Sequence, residues 1–242
     1  MLKTALSPSV PAPLGLQRQE HKYLLPLAKA LTLKATLSRA LAEDSHNVDG
    51  GYLVRSLYFD TPDNRDLHET LDGLYHRRKI RLRTYSPDAQ TVNLELKRKE
   101  GSRQEKITIP VSRQDALTFC GGCFSSLLDG GPAAKSIYPI VSQGYHPVSV
   151  VDYRRTAFVW PARSTRITLD ECVQSCDSHL DLFCPKLPLV PALPAGYTVL
   201  EVKYDGTLET FIKQLLTGYC NERLSVSKYA NGRLAGYWAA AL

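Results

Sequence analysis

Three segments of this chain carry the same pair of opposite charges two residues apart: Glu20-x-Lys22, Glu95-x-Lys97 and Glu201-x-Lys203. In an extended strand, residues i and i+2 point to one face. Each pair therefore sets a carboxylate beside an ammonium on one side of a sheet. Apolar residues fill the alternate positions. His76 to Tyr85 places Arg77, Lys79, Arg81, Arg83 and Tyr85 on one face, with Ile80 and Leu82 on the other. Val92, Leu94 and Leu96 oppose Asn93, Glu95, Lys97 and Lys99. Leu200, Val202 and Tyr204 oppose Glu201 and Lys203, while Ile167 and Leu169 oppose Arg166, Thr168 and Asp170. Further strands are expected over 18–25, 53–60, 107–111 and 150–160. Several short antiparallel strands separated by turns point to a barrel or strongly curved sheet.

Helical patterns lie between the strands. Residues 27–43 place Leu27, Leu31, Leu37 and Leu41 near helical spacing after Pro26. Ser112 is expected to cap a helix running to about residue 128. Residues 207–219 form the clearest amphipathic pattern, with Thr207 as cap and Leu208, Phe211, Ile212 and Leu215 on one face. The class is therefore α+β. Residues 185–194 carry proline at every third position, which suits a stiff extended connector between two strands.

Hydrophobic residues make up 43% of the chain and charged residues 22%, which argues for a folded rather than a disordered protein. No apolar run reaches the roughly 18 residues of a membrane-spanning helix. Residues 1–16, broken by Pro8, Pro11 and Pro13, read as a flexible tail without a signal peptide. That leaves 17–242 as a single domain, a cytoplasmic location, and six cysteines as reduced thiols. Cys120-Gly-Gly-Cys123 with Cys172 and Cys176 would supply four zinc ligands, but the two glycines and the expected helix favour packed thiols. His68-Glu69 lacks the second histidine of a metalloprotease motif, and no glycine-rich phosphate loop occurs.

The charge is concentrated. Residues 77–106 hold ten Lys/Arg against four acids, an excess equal to the +6 of the whole chain. The basic strands lack interleaved exposed aromatics for base stacking, so no nucleic-acid partner is expected. A charged sheet face ordinarily meets water while the apolar face makes the core. The inverted arrangement closes the strands into a barrel with charges inside and helices over the apolar outside. Like charges crowded in a narrow lumen repel unless a polyanion neutralises them. The inverted arrangement therefore implies its own ligand, a chain of phosphates with a divalent metal. Arginine forks grip phosphate oxygens, lysines act as point charges, and glutamates hold Mg²⁺ or Mn²⁺ or orient the lysines.

Eight short motifs occur in order: RQEHKYLLP (18–26), SLYFDT (56–61), RKIRLRTY (78–85), LELKRK (94–99), YRRTAF (153–158), RITLDE (166–171), LEVKYDG (200–206) and SVSKY (225–229). Together they resemble the catalytic domain of the vacuolar transporter chaperone family, the polyphosphate polymerase domain, within the triphosphate tunnel metalloenzymes. The resemblance implies an antiparallel β-barrel tunnel with charges inside and helices packed outside. It also implies transfer of the γ-phosphate of ATP to a growing inorganic polyphosphate chain with Mn²⁺ or Mg²⁺.

Site roles implied by the resemblance fall on named positions. Lys22 lies on the first tunnel strand, beside Arg18. Arg81 and Arg83 match the paired arginines that hold nucleotide phosphates, and Lys97 follows on the glutamate-lysine strand. Arg155, Arg166, Lys203 and Lys228 continue the basic set, with a further contact at Lys106 or Gln104. Glu201 matches the metal-binding carboxylate, with Glu20 and Glu95 completing the candidate metal set.

Related tunnel hydrolases carry Glu-x-Glu-x-Lys on the first strand, whereas this chain reads Arg18-x-Glu20-x-Lys22. The change removes a potential metal ligand and adds a phosphate donor, which favours the polymerase branch. Two alternatives stay open: a metal-dependent triphosphatase or polyphosphatase, with Glu20 or Glu95 as candidate base, and a noncatalytic polyphosphate-binding module. ATP and polyphosphate are the expected partners. Direct membrane insertion is not expected, and coupling to export would need a separate membrane protein.

Overall fold

A computed structural model describes residues 18–101, 103–220 and 226–239. The expected tail, residues 1–16, lies outside the described residues, as does Ser225 of the last motif. In chain order the elements are β1 (Arg18–Pro26), α1 (Leu27–Ala40), β2 (Ala42–Glu43), β3 (Tyr52–Asp60), α2 (Arg65–Leu71), β4 (His76–Thr84), β5 (Thr91–Glu100) and β6 (Arg103–Ser112). There follow α3 (Arg113–Cys120), α4 (Pro132–Val141), β7 (His146–Trp160), β8 (Thr165–Cys176), β9 (Val190–Pro191), β10 (Tyr197–Asp205), α5 (Thr210–Leu215) and α6 (Lys228–Ala239).

All strands join one antiparallel sheet in the order β1-β10-β8-β7-β3-β4-β5-β6, with β2 on β7 and β9 on β8. The hydrogen-bonded path is not closed, because β1 and β6 end it without pairing with each other. The sheet nevertheless curls upon itself. Although β1 and β5 stand far apart in the path, Lys97 Nζ meets Glu20 Oε2 at 3.0 Å. The inverted facing is the one adopted, with charges inside and helices over the apolar outside, but the expected barrel is an open, curled sheet rather than a closed ring of hydrogen bonds; the α+β class follows as expected.

The apolar strand faces look outward and are roofed by helices. Phe158, Ile167, Leu169, Leu200 and Val202 pack against Leu33 and Leu37 of α1 and Ile212 of α5. Leu57, Ile80, Leu82, Leu94 and Leu96 pack against Phe119 of α3 and Ile137 of α4. Each such side chain, fully buried, contributes about 1.5–3 kcal/mol, so these two outer cores are what keep the charged face turned inward.

Two helix boundaries differ from expectation. Ser112 Oγ does cap α3, accepting the Asp115 N–H at 3.0 Å, but α3 stops at Cys120 because Gly121 and Gly122 follow (Gly122 at φ +81°). A separate 3-10 turn covers Ser125–Leu128. The 207–219 pattern yields only α5, with Glu209 rather than Thr207 at the N-cap, because Gly206 (φ 69°) turns the chain out of β10 first. Leu216, rather than Leu215, takes the buried position beside Ile212. The proline-rich stretch does connect two strands, and its Val190–Pro191 pair adds to the edge of β8.

Helix α6 packs on the inner side of the sheet and has no counterpart in the sequence reading. Its Tyr229 ring stacks on Tyr58 at 4.9 Å, and its hydroxyl donates to Asp60. A Cβ at Gly232 would lie 2.9 Å from Val151 Cγ2 and 3.2 Å from Ser175 Cβ, so glycine permits the close approach. Val54, Val151, Val173 and Val199 join this third apolar cluster. One part of the inner face is thus filled by α6; of the charged part, Arg83, Glu95, Asp170 and Glu201 are buried, while Glu20, Lys22, Lys79 and Lys97 line a cavity.

Candidate functional site

Alternation brings the expected basic side chains of β1, β4, β5, β8 and β10 onto the inner face. In register, Glu20 lies opposite Lys203 and Lys22 opposite Glu201, so the two Glu-x-Lys pairs interlock with carboxylates and ammoniums crossed. Glu201 is 5% exposed and takes Lys203 Nζ at 2.6 Å and Arg155 Nη2 at 3.6 Å. Burial pushes its carboxyl up, but Lys203, Lys22, Lys228 and Arg155 outweigh burial and hold it well below the usual range. Glu20 is bracketed by Lys97 at 3.0 Å and Lys22 at 3.2 Å. Burial and Glu201 raise its pKa, while Lys22, Lys203 and Lys97 bring it below normal.

A second knot forms around Glu95. Arg81 reaches its Oε2 through Nη2 at 2.6 Å and Nε at 2.8 Å, and Lys106 reaches Oε1 at 2.7 Å. Arg83, 8% exposed, sits 3.8 Å away and donates to Ser56 Oγ and Tyr153 Oη, each at 3.3 Å. Burial opposes ionisation of Glu95, but Arg81, Arg83 and Lys106 bring its pKa down to about 2. The Lys106–Gln104 ambiguity resolves into both residues facing inward: Lys106 opposes Lys97 on β5, and Gln104 opposes Lys99.

The third knot centres on Asp170, which is wholly buried. Arg155 binds it in a fork at 2.6 and 2.8 Å, and Lys228 of α6 reaches it at 2.6 Å. Despite the cost of burial, Arg155 and Lys228 bring its pKa to about 2. The Tyr153 ring lies beneath both cations, 5.3 Å from the Arg155 guanidinium carbon and 4.8 Å from Lys228 Nζ. Arg166 faces the same side as Lys203 but turns to Asp44 and to Tyr52 Oη (3.1 Å). Arg18 is exposed at the start of β1.

A cavity of about 210 Å³ opens between β1, β4 and β5, lined by Glu20, Lys22, Arg77, Arg78, Lys79, Lys97, Lys99, Gln104 and Ser227 among others. Arg77, Arg78 and Lys99 also border an outer basin of about 490 Å³, lined by Arg98 and Arg103 and by Glu69, Glu100 and Glu105. Lys79 donates to Ser227 Oγ at 2.8 Å and forms no ion pair with the described residues. Burial, reinforced by Lys22, Lys97, Arg81 and Arg77, pushes its ammonium down to about 7. The arginines of the deeper face are already matched by Glu95 and Asp170. At the cavity end, Lys22 and Lys97 share Glu20 and Arg78 takes Asp66, while Lys79 has no carboxylate partner among the described residues.

The structure therefore brings together Lys22, Arg81, Arg83, Lys97, Lys106, Arg155, Lys203 and Lys228 with Glu20, Glu95 and Glu201. It sets Arg166 toward Asp44 and Arg18 at the rim. Lys79, Tyr153 and Asp170 were not assigned roles in the sequence, although Lys79 and Asp170 share the alternating faces of Arg81 and Arg166. Among the described residues, Glu20, Glu95 and Glu201 do not converge as a three-ligand cage. Nor do Cys120, Cys123, Cys172 and Cys176 come together as metal ligands.

A family model described as the VTC domain matches residues 17–237. No curated protein matches the chain. A solved structure of a candidate adenylate cyclase from Bacillus halodurans is 16% identical, covering 87% of this chain and 95% of that one, at a TM-score of 0.49. One from Vibrio parahaemolyticus is 14% identical, covering 90% and 98%, also at 0.49. The PH1819 protein from Pyrococcus horikoshii is 12% identical, covering 88% and 97%, at 0.47. No helix among the described residues is long and apolar enough to cross a membrane.

Proposed function

The chain belongs to the VTC domain family, and from that premise we propose that it is an ATP-dependent polyphosphate polymerase, with residues 17–242 acting as one unit. Family membership supports chemistry on polyphosphate or triphosphate. The observation that carries the finer reading is the cation-lined cavity in which Lys79 has no carboxylate partner among the described residues, while carboxylates hold the deeper arginines in place. Such a surface is completed by a linear polyanion.

In this reading a terminal phosphate oxygen of the growing chain attacks the γ-phosphorus of ATP. The bond from that phosphorus to the β–γ bridging oxygen breaks, and ADP leaves. The attacking oxygen is already ionised at neutral pH, so no dedicated base is needed. Positioning and charge neutralisation supply the catalysis. Arg81 and Arg83 grip nucleotide phosphates, while Lys22, Lys79 and Lys97 line the path of the chain. Asp170 acts as a positioning residue, fixing Arg155 and Lys228 at the buried end.

The donor set fits a divalent cation of the Mg²⁺ or Mn²⁺ class. Glu20 and Glu201 are hard oxygen donors on neighbouring strands, and such cations take one or two carboxylates plus phosphate oxygens. Thr168 Oγ1, opposite Glu201 in register, is buried without a hydrogen-bond partner among the described residues. Bound there, the ion would neutralise charge on the phosphate oxygens. Glu95 is committed to Arg81 and Lys106 and stands outside this pair.

Hydrolysis is the second reading, and the electrostatics disfavour it. Both candidate bases, Glu20 and Glu95, are held below the usual carboxylate range and accept protons poorly. Purified protein incubated with ATP and Mn²⁺ is expected to yield a ladder of long chains on a gel. Orthophosphate alone would overturn synthesis in favour of hydrolysis. We place the reaction in the cytoplasm, with any export left to a separate membrane protein.

Lys79 makes binding pH-dependent. With its pKa near 7 in the free protein, the ammonium is partly neutral above that value, and a phosphate chain favours the charged form. Binding therefore takes up a proton, and affinity falls by up to about tenfold per pH unit above pH 7. Calorimetry in buffers of different ionisation enthalpy measures this uptake. Lys79→Met should remove it, and uptake unchanged in that variant would contradict the assignment.

A further inference from the structure

The connection from β8 to β9 holds a pattern unrelated to the phosphate site. Leu182 and Phe183 are buried, and Leu180 packs partly against the same outer core. The Arg113 guanidinium carbon lies 4.0 Å from the Phe183 ring centroid. Buried Arg55, held by Asp152 through Nε and Nη2 at 2.8 Å each, donates Nη1 to the carbonyl oxygens of Leu182 (3.3 Å) and Cys184 (2.5 Å). The loop backbone is thus clamped from below. With Leu180, Leu182 and Phe183 turned into the core, His179, Asp181 and Cys184 turn outward. Their donor atoms all lie within 4.8 Å of one another.

Local hydrogen bonds support this arrangement. Asp181 Oδ1 accepts the Phe183 N–H at 2.8 Å, and Cys176 Sγ accepts the His179 N–H at 3.3 Å. An imidazole nitrogen, a carboxylate oxygen and a thiolate sulfur form a borderline donor set suited to zinc, with water as fourth ligand. Magnesium and manganese prefer all-oxygen surroundings, so this place differs in chemistry from Glu20 and Glu201.

We propose that His179, Asp181 and Cys184 form a binding site for one divalent cation of the zinc class. On binding, the Cys184 S–H bond breaks, the proton passes to solvent and a sulfur–metal bond forms. The thiol gives up its hydrogen bond to the Lys186 carbonyl oxygen (3.1 Å). The ion would staple the connector to the outer core, a role independent of the polymerase reading.

Cobalt(II) added to the chelator-stripped full chain tests this. One equivalent is expected to bind with a thiolate-to-metal charge-transfer band, and zinc should displace it. Cys184→Ser should abolish the band, and His179→Ala should weaken binding at least about tenfold. Cys123→Ser should leave both unchanged. All three positions lie outside the packed core, and circular dichroism checks that each variant is folded. Absence of the band, or its survival in folded Cys184→Ser, would overturn the site. Loss of the band in Cys123→Ser would do the same by placing the metal on other thiols.

Discussion

Replacing Arg83 with alanine is expected to lower the turnover of ATP into polyphosphate by about 100- to 1000-fold while leaving the protein folded. The size follows from what a fixed, water-shielded guanidinium contributes when charge spreads over a phosphoryl group in transit. The fold survives because Glu95 keeps Arg81 at 2.6 Å and Lys106 at 2.7 Å. Among the described residues Ser56 and Tyr153 lose a hydrogen-bond donor, and because both hydroxyls are buried, circular dichroism checks that the variant is folded before rates are compared. Arg83→Lys should recover part of the rate, since it restores the charge but not the two-pronged geometry. Steady-state assays on both variants measure this, and turnover unchanged in Arg83→Ala would place Arg83 outside the reacting path.

The second large effect concerns Asp170. Alanine there leaves Arg155 and Lys228 buried side by side with Glu201, 3.6 Å from Arg155, as the remaining nearby carboxylate among the described residues, and removing one member of such a group costs about 3–5 kcal/mol. The α6 N-terminus, which carries Lys228, should be released from the sheet. Denaturant unfolding reads the stability loss, and hydrogen exchange in α6 reads its origin.

The pH dependence has a definite sign. The folded-state pKa of Asp170 is depressed to about 2 from 3.8, so its contribution is fully present above pH 4 and fades as pH falls toward 2. The Asp170→Ala variant should lack that acid-limb loss. Wild-type stability in both background and variant would show Asp170 to be dispensable.

The strands were legible because alternation is a local signal. Expected 53–60 and 92–99 became Tyr52–Asp60 and Thr91–Glu100, within a residue or so at either end. Which face turned inward was not legible from periodicity, because a period of two does not say on which side the helices settle. The order of motifs tipped that choice.

Helix α6 went unseen for a different reason. Among its described side chains it buries Tyr229, Ala230, Gly232 and Ala235 rather than a stripe of leucines. A helix fitted into a narrow concave face needs a thin side, and a thin side leaves a weak hydrophobic pattern. Lys79 and Asp170 lay on faces already identified. Their importance depends on partners 148 residues away for Lys79–Ser227 and on Lys228 for Asp170, contacts that only the folded chain creates. The same holds for the Lys97–Glu20 pair, which joins residues 77 apart and draws the curled sheet together.

On this reading the inner face is shaped to hold a string of phosphates. A crystal structure of the full chain soaked with tripolyphosphate and Mn²⁺ tests it most directly. Phosphorus density is expected within hydrogen-bond reach of Lys22, Lys79 and Lys97, with manganese beside Glu20 and Glu201. Density confined to the outer surface, with the inner face unchanged and these lysines untouched at saturating ligand, would contradict it.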